Sequence, residues 1–160
     1  MRLGELVVPD DNSLLNPQKI TARTSVTMSN DDYHFFLPSH KADKFFEGNT
    51  IIIQQHHLVV NPYTHFRNYL KSRDCLFPFL SDLWLCADGS RPSRSFFINR
   101  LHQFFDSSIA GQSMRSGGAT SLALNSVPPH LIQAIGRWAS PAFQIYIRKN
   151  PVLLQALLFG

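Results

Sequence analysis

Two arginines and a tyrosine follow one another in the stretch GQSMRSGGATSLALNSVPPHLIQAIGRWASPAFQIY, from Gly111 to Tyr146. Arg115 falls at the head of one expected helix, Arg137 at the end of the next, and Tyr146 inside a third. That is the layout of a phosphate-handling site, because a guanidinium presents a planar fork of donors that fits phosphate oxygens. Breakers divide the stretch: Gly111 with Ser113 ahead of the first helix, Val127-Pro128-Pro129 before the second, and Ser140-Pro141 before the third. Ser140 as N-cap with Pro141 in the first turn makes a good helix start. Arg137 and Tyr146 are nine residues apart and would face opposite sides of one straight helix. A turn between them brings both to one site. Taken singly, each residue has a plainer role: Tyr146 shares a helical face with Ala142 and Phe143, as a core tyrosine would, and Arg115 and Arg137 fit solvated helix-end charges.

In order and spacing the stretch resembles the C-terminal catalytic motif of tyrosine recombinases, the integrase-like DNA breaking and rejoining enzymes, and most of all their fungal, transposon-associated branch. The family pattern is His-x-x-Arg opening a helix, a Gly followed by His or Trp, and a tyrosine nucleophile about ten residues after that Gly. Arg115 takes the arginine position, Gly136 the glycine, and Tyr146 stands ten residues on. The chain departs from the pattern twice: Gln112 stands in the place of the first histidine, and Arg137, with Trp138 beside it, in that of the second. Near the start, Arg2, Glu5 and Leu6 match the family's Arg-x-x-Glu-Leu box, which carries its first catalytic arginine at the end of a hydrophobic helix. The family's catalytic lysine sits on a β-hairpin turn, where Lys41 matches, with Lys44 as the alternative.

The resemblance implies a mechanism. Arg115 and Arg2 would clamp the non-bridging oxygens of the scissile phosphate, Arg137 would donate to the same group, and Tyr146 would attack phosphorus to give a 3′-phosphotyrosine and a free 5′-hydroxyl. Lys41 would protonate the leaving oxygen. One ester replaces another, so neither ATP, a metal ion nor a small-molecule cofactor is implied. Gln112 can donate a hydrogen bond to phosphate but cannot shuttle a proton, and Trp138, Arg94 and Arg100 are further candidate phosphate contacts. Gly117-Gly118 would let the α-helical backbone approach DNA, or else permit tight packing. The implied partner is double-stranded DNA, bound by a homo-oligomer inside the cell, in the nucleus. The alternatives are a catalytically inactive DNA-binding remnant of the same fold, and an unrelated α+β interaction protein.

Composition permits this without demanding it. The 160 residues, 44% hydrophobic and 16% charged, suit one core, and a net charge of +4 is a modest basic bias. No apolar run approaches the ~20 residues that span a bilayer, so no membrane association is expected. Cys75 and Cys86 have no metal-ligand spacing and suggest buried thiols in a reducing compartment. His56-His57 would point to opposite faces of a strand and lack partners at ligand spacing, so no metal site is expected.

The elements that must position these residues are expected to form a mainly helical α+β domain over residues 1–160, a partial tyrosine-recombinase catalytic core. Thr21 to Met28, Tyr33 to Leu37 and Thr50 to Ile53 read as a small antiparallel sheet. Helices are expected from Asn61 to Arg73 and from Ser93 to Ser107, the second with Phe96, Phe97, Leu101, Phe104 and Phe105 inward and Arg94, Arg100 and His102 at the surface. A last short helix is expected from Val152 to Phe159. Because nothing in the sequence precedes the Arg2 box, the resemblance further implies that these 160 residues alone are inactive and prone to associate.

Overall fold

Residues 32–37 alternate side chains strictly, which on a pleated strand puts Tyr33, Phe35 and Leu37 on one face. In a computed structural model of the chain, which describes residues 1–39, 43, 47–55 and 61–138, all three are buried while Phe36 is exposed. The strand they form, β2 (Asp32–Leu37), is the middle of a three-stranded antiparallel sheet with β1 (Thr27–Met28) and β3 (Asn49–Gln54). Tyr33 pairs with Met28 and Ile53, and Phe35 with Ile51. Just ahead of β3, the Asp43 carboxylate receives the backbone N–H groups of Glu47 and Gly48 at 3.1 and 2.8 Å.

Helix α1 (Pro62–Leu76) starts as Asn61-Pro62 predicts: the Asn61 side chain accepts from the Tyr63 N–H and Pro62 occupies the first turn. Phe66, Leu70 and Arg73, spaced at three and four residues, form its buried stripe. Phe66 stacks on Tyr33 with ring centroids 4.0 Å apart, and Trp84 meets Phe35 edge-on. With Leu83 these residues make a core cluster. The remaining α-helices of the described residues are α2 (Arg94–Leu101), α3 (Gly111–Leu124) and α4 (Pro129–Gly136), so the fold is α+β, with helix outweighing strand. None of the helices is long and apolar enough to cross a membrane.

The chain divides into two compact units, Gly4–Phe97 and a second made of Met1–Leu3 with Ile98–Gly160. The first holds the sheet, α1 and the aromatic core. The second holds α3 and α4, where Ala119 and Ile132 are buried under Leu122, Ala123, Val127 and Trp138.

Four expectations need correction. Only the end of the alternating run 21–28 is strand: residues 23–25 form a 3-10 turn, because Arg23 turns aside to grip Asp74 with two nitrogens, the shorter contact at 2.7 Å. Helix α2 stops at Leu101, where i to i+3 hydrogen bonds at Gln103 and Phe104 tighten the chain, so Phe104 and Phe105 leave the helical face and are exposed, as is Phe96. Cys75 is exposed rather than buried, since it lies off the Phe66-Leu70-Arg73 stripe. Helix α3 begins at Gly111, so Arg115 lies one turn inside it rather than at its head. The Ser113 hydroxyl accepts the Ala110 N–H at 3.0 Å, which caps the helix from within.

Candidate functional site

Arg115, Gly136, Arg137 and Trp138 meet where α4 ends against α3. Helix α4 closes with the N–H of Arg137 bonded to the Ala134 carbonyl at 3.0 Å and that of Trp138 bonded to the Gln133 carbonyl at 3.1 Å. This paired closure requires a left-handed residue after the helix, normally glycine. Arg137 fills it, with φ 52° and ψ 47°. A side chain in that conformation costs on the order of 1 kcal/mol, which leaves a cation held against a backbone preference.

The closure carries Trp138 back over the helix end, where a Cβ on Gly136 would collide with its indole ring. Glycine at 136 is therefore required by the ring. The Gln133 side chain donates to the Trp138 carbonyl at 3.1 Å and holds the turn. The Arg115 guanidinium lies over the Trp138 ring, 4.2 Å from its centroid, and donates through Nη2 to the Gly136 carbonyl. A guanidinium carries its five N–H donors in one plane, so fixing that plane orients all of them. Stacking on an indole face is among the stronger cation–π arrangements.

Gln112 is exposed in the first turn of α3, three residues before Arg115 and hence on the same face. Leu3 packs on Gly111 so closely that a Cβ there would strike its side chain. This contact holds the segment carrying Arg2 at the start of α3. A Cβ at Gly117 or Gly118 would meet nothing within 4 Å among the described residues, so packing does not require either glycine.

Arg94 lies in the unit Gly4–Phe97 and Arg100 in the other, since the division falls within α2. Arg94 opens α2, whose start is capped by Asp10, accepting the Ser95 N–H at 2.9 Å; that bond holds the Asp10 carboxyl below its usual range. Arg100 donates to Gln103 at 3.3 Å. Lys41, Lys44, His56, His57 and Tyr146 lie outside the described residues, as does the expected helix 152–159. Among the described residues no three His, Cys, Asp or Glu side chains cluster as metal ligands.

Two features escape the sequence. Arg73 is 4% exposed and ties the loop after α1 together: it donates to the carbonyls of Phe77 at 3.1 Å, Asp82 at 2.7 Å and Leu80, and to the Asp74 carboxylate at 3.0 Å. Its place on the apolar stripe, seven residues after Phe66, was the available signal. The stacking of Arg115 on Trp138 had none, because it depends on the left-handed turn at Arg137. No protein-family profile, no curated protein and no solved structure matches the chain.

Proposed function

We propose that the chain breaks and rejoins DNA strands by transesterification, as a tyrosine-recombinase-type catalytic core of the fungal, transposon-associated kind. The observation that supports this most is the corner at the end of α4, where Arg115 is locked between the Gly136 carbonyl and the Trp138 ring beside a left-handed Arg137. A phosphodiester repels nucleophiles and gains negative charge toward its transition state, and cations fixed in advance lower that barrier. A backbone strain kept for a cation is the kind of cost that functional sites carry.

On this proposal the Tyr146 hydroxyl gives up its proton to solvent as its oxygen bonds the scissile phosphorus and the bond from phosphorus to the 5′ oxygen breaks. Lys41 supplies the proton to that oxygen. Arg115, Arg137 and Arg2 neutralise the non-bridging oxygens, and attack by a 5′-hydroxyl on the phosphotyrosine rejoins a strand. The duplex would be held by a homo-oligomer in the nucleus.

A second reading has a specific observation in its favour. Gln112 stands where a proton-transferring histidine would be, so phosphate binding is retained with weakened acid–base catalysis, as in an inactive DNA-binding relative of the same fold. Nicked suicide duplex DNA separates the two, applied to the chain and to the chain extended by any coding sequence upstream of Met1. The enzyme forms a protein–DNA adduct that survives denaturing electrophoresis and disappears in Tyr146→Phe with DNA affinity kept. Salt-sensitive binding without an adduct in either form establishes the inactive binder. DNA binding that is absent or insensitive to salt excludes both.

A further inference from the structure

Strand β3 (Asn49–Gln54) is an edge of the sheet, with β2 on one side of it. The Gln55 N–H donates to the Asp31 carbonyl at 2.6 Å, and Ile53 and Ile51 stand opposite Tyr33 and Phe35. Bonded and non-bonded pairs alternate along an antiparallel ladder, so the odd-numbered residues of β3 turn their N–H and C=O groups toward β2. Those of Thr50, Ile52 and Gln54 point the other way, off the open edge, and make no hydrogen bond among the described residues. All three residues are exposed, Ile52 at 63%.

Sheet edges are normally guarded by shortness, charge, proline or a bulge. The opposite edge of this sheet is guarded: β1 has two residues, and before its start Ser25 Oγ accepts the Phe36 N–H at 3.2 Å. β3 has six residues in unbroken register with β2, and the run NTIIIQQ from Asn49 to Gln55 holds neither charge nor proline. Such an edge pairs with another extended strand, and β3 is complementary to itself. Turned about a two-fold axis through Ile52, it sets Ile52 opposite Ile52 and Thr50 opposite Gln54, so every open N–H meets an open C=O. Ile51 falls opposite Ile53, and both pack on the Phe35 and Phe66 cluster, so that apolar face continues across the axis. No like charges meet, and a two-fold pairing closes after two copies instead of growing into a fibre.

We propose that β3 pairs with β3 of a second copy of this chain, antiparallel about Ile52, making one sheet continuous across the two. The pairing needs no DNA and stands apart from the strand-breaking chemistry proposed above. Sedimentation and amide hydrogen exchange of the full chain without DNA test it between about 5 and about 500 µM, since so small an interface implies a Kd on the order of 100 µM. As concentration rises, monomer should give way to dimer, and the amides of Thr50, Ile52 and Gln54 should gain about threefold protection. Those of Ile51 and Ile53 should be protected throughout. Ile52→Lys and Ile52→Glu, at an exposed position, should each weaken the dimer about tenfold. An equal mixture of the two variants should recover it, because position 52 faces its own counterpart. Exchange in the unaltered chain keeps the test decisive if a variant does not fold. A monomer at the highest concentration, protection of the three amides already at the lowest, or a dimer that both substitutions leave intact would overturn the proposal.

Discussion

Among the described residues, the two compact units bury their side chains very differently. In Gly4–Phe97, Tyr33, Phe35, Phe66, Leu70 and Leu83 form one buried cluster edged by further aromatic rings, and a buried arginine ties the following loop. At the α3–α4 contact the buried cluster is Ala119 and Ile132, with the Arg115–Trp138 stack beside it. Among the described residues, the candidate chemistry thus sits on the smaller of the two buried clusters. Elements that must admit a ligand or move on assembly belong to the less stable parts of a fold, whereas a dense aromatic layer resists local opening.

The largest expected effect falls in the dense unit. Arg73→Ala removes the donors of at least three loop carbonyls and should destabilise Gly4–Phe97 by about 4 kcal/mol, seen in denaturant unfolding followed by the fluorescence of Trp84. Near-wild-type stability would show that the loop carbonyls find other donors. In the α3–α4 cluster, Ile132→Ala should cost about 3 kcal/mol and abolish hydrogen-exchange protection across α3 and α4. Protection in β2 and α1 should persist, and its loss would show that the two clusters unfold as one.

Alkali and acid should act on the dense unit through different groups. Burial pushes the Tyr33 phenol up to about 12, so its contribution is fully present below pH ~10, the unfolded value, and is lost as the pH rises through the folded one. An ultraviolet titration should show this tyrosine ionising well after an exposed one. Hydrogen bonding from Arg23 holds Asp74 below the usual carboxylate range. That contribution is present above the unfolded carboxylate value and is lost as the pH falls through the folded one. The pair is partly exposed, so the acid effect should stay below about 1 kcal/mol. Gly117→Ala and Gly118→Ala should each stabilise α3 by up to about 1 kcal/mol, because the added methyl groups meet nothing within 4 Å among the described residues, and each should weaken DNA binding if the helix backbone approaches DNA there. Stabilisation with unchanged DNA affinity would remove the two glycines from the interface.

The scaffold was more legible in the sequence than the site. The aromatic run Tyr33 to Leu37 and the β-rich run Thr50 to Ile53 announce strands, and Asn61-Pro62 announces α1, since these signals are local. The failures arise where a distant partner decides. Thr21 to Ser25 alternates like a strand, yet Arg23 is drawn to a carboxylate 51 positions away. Phe104 and Phe105 fit a helical face that ends before reaching them. At the site, the succession of Arg115, Gly136 and Arg137 was visible as a pattern. The stack on Trp138 was not, because it follows from a backbone conformation that arginine rarely adopts.

The left-handed Arg137 allows the most direct test, because stability and function should there move in opposite directions. Arg137→Gly relieves the backbone and removes the cation. It should raise the stability of the α3–α4 unit by up to about 1 kcal/mol, lower the affinity for duplex DNA, and reduce the slope of log K against log salt by about one. A less stable variant, or one whose DNA affinity and salt slope equal those of the wild type, would contradict a phosphate clamp at the end of α4.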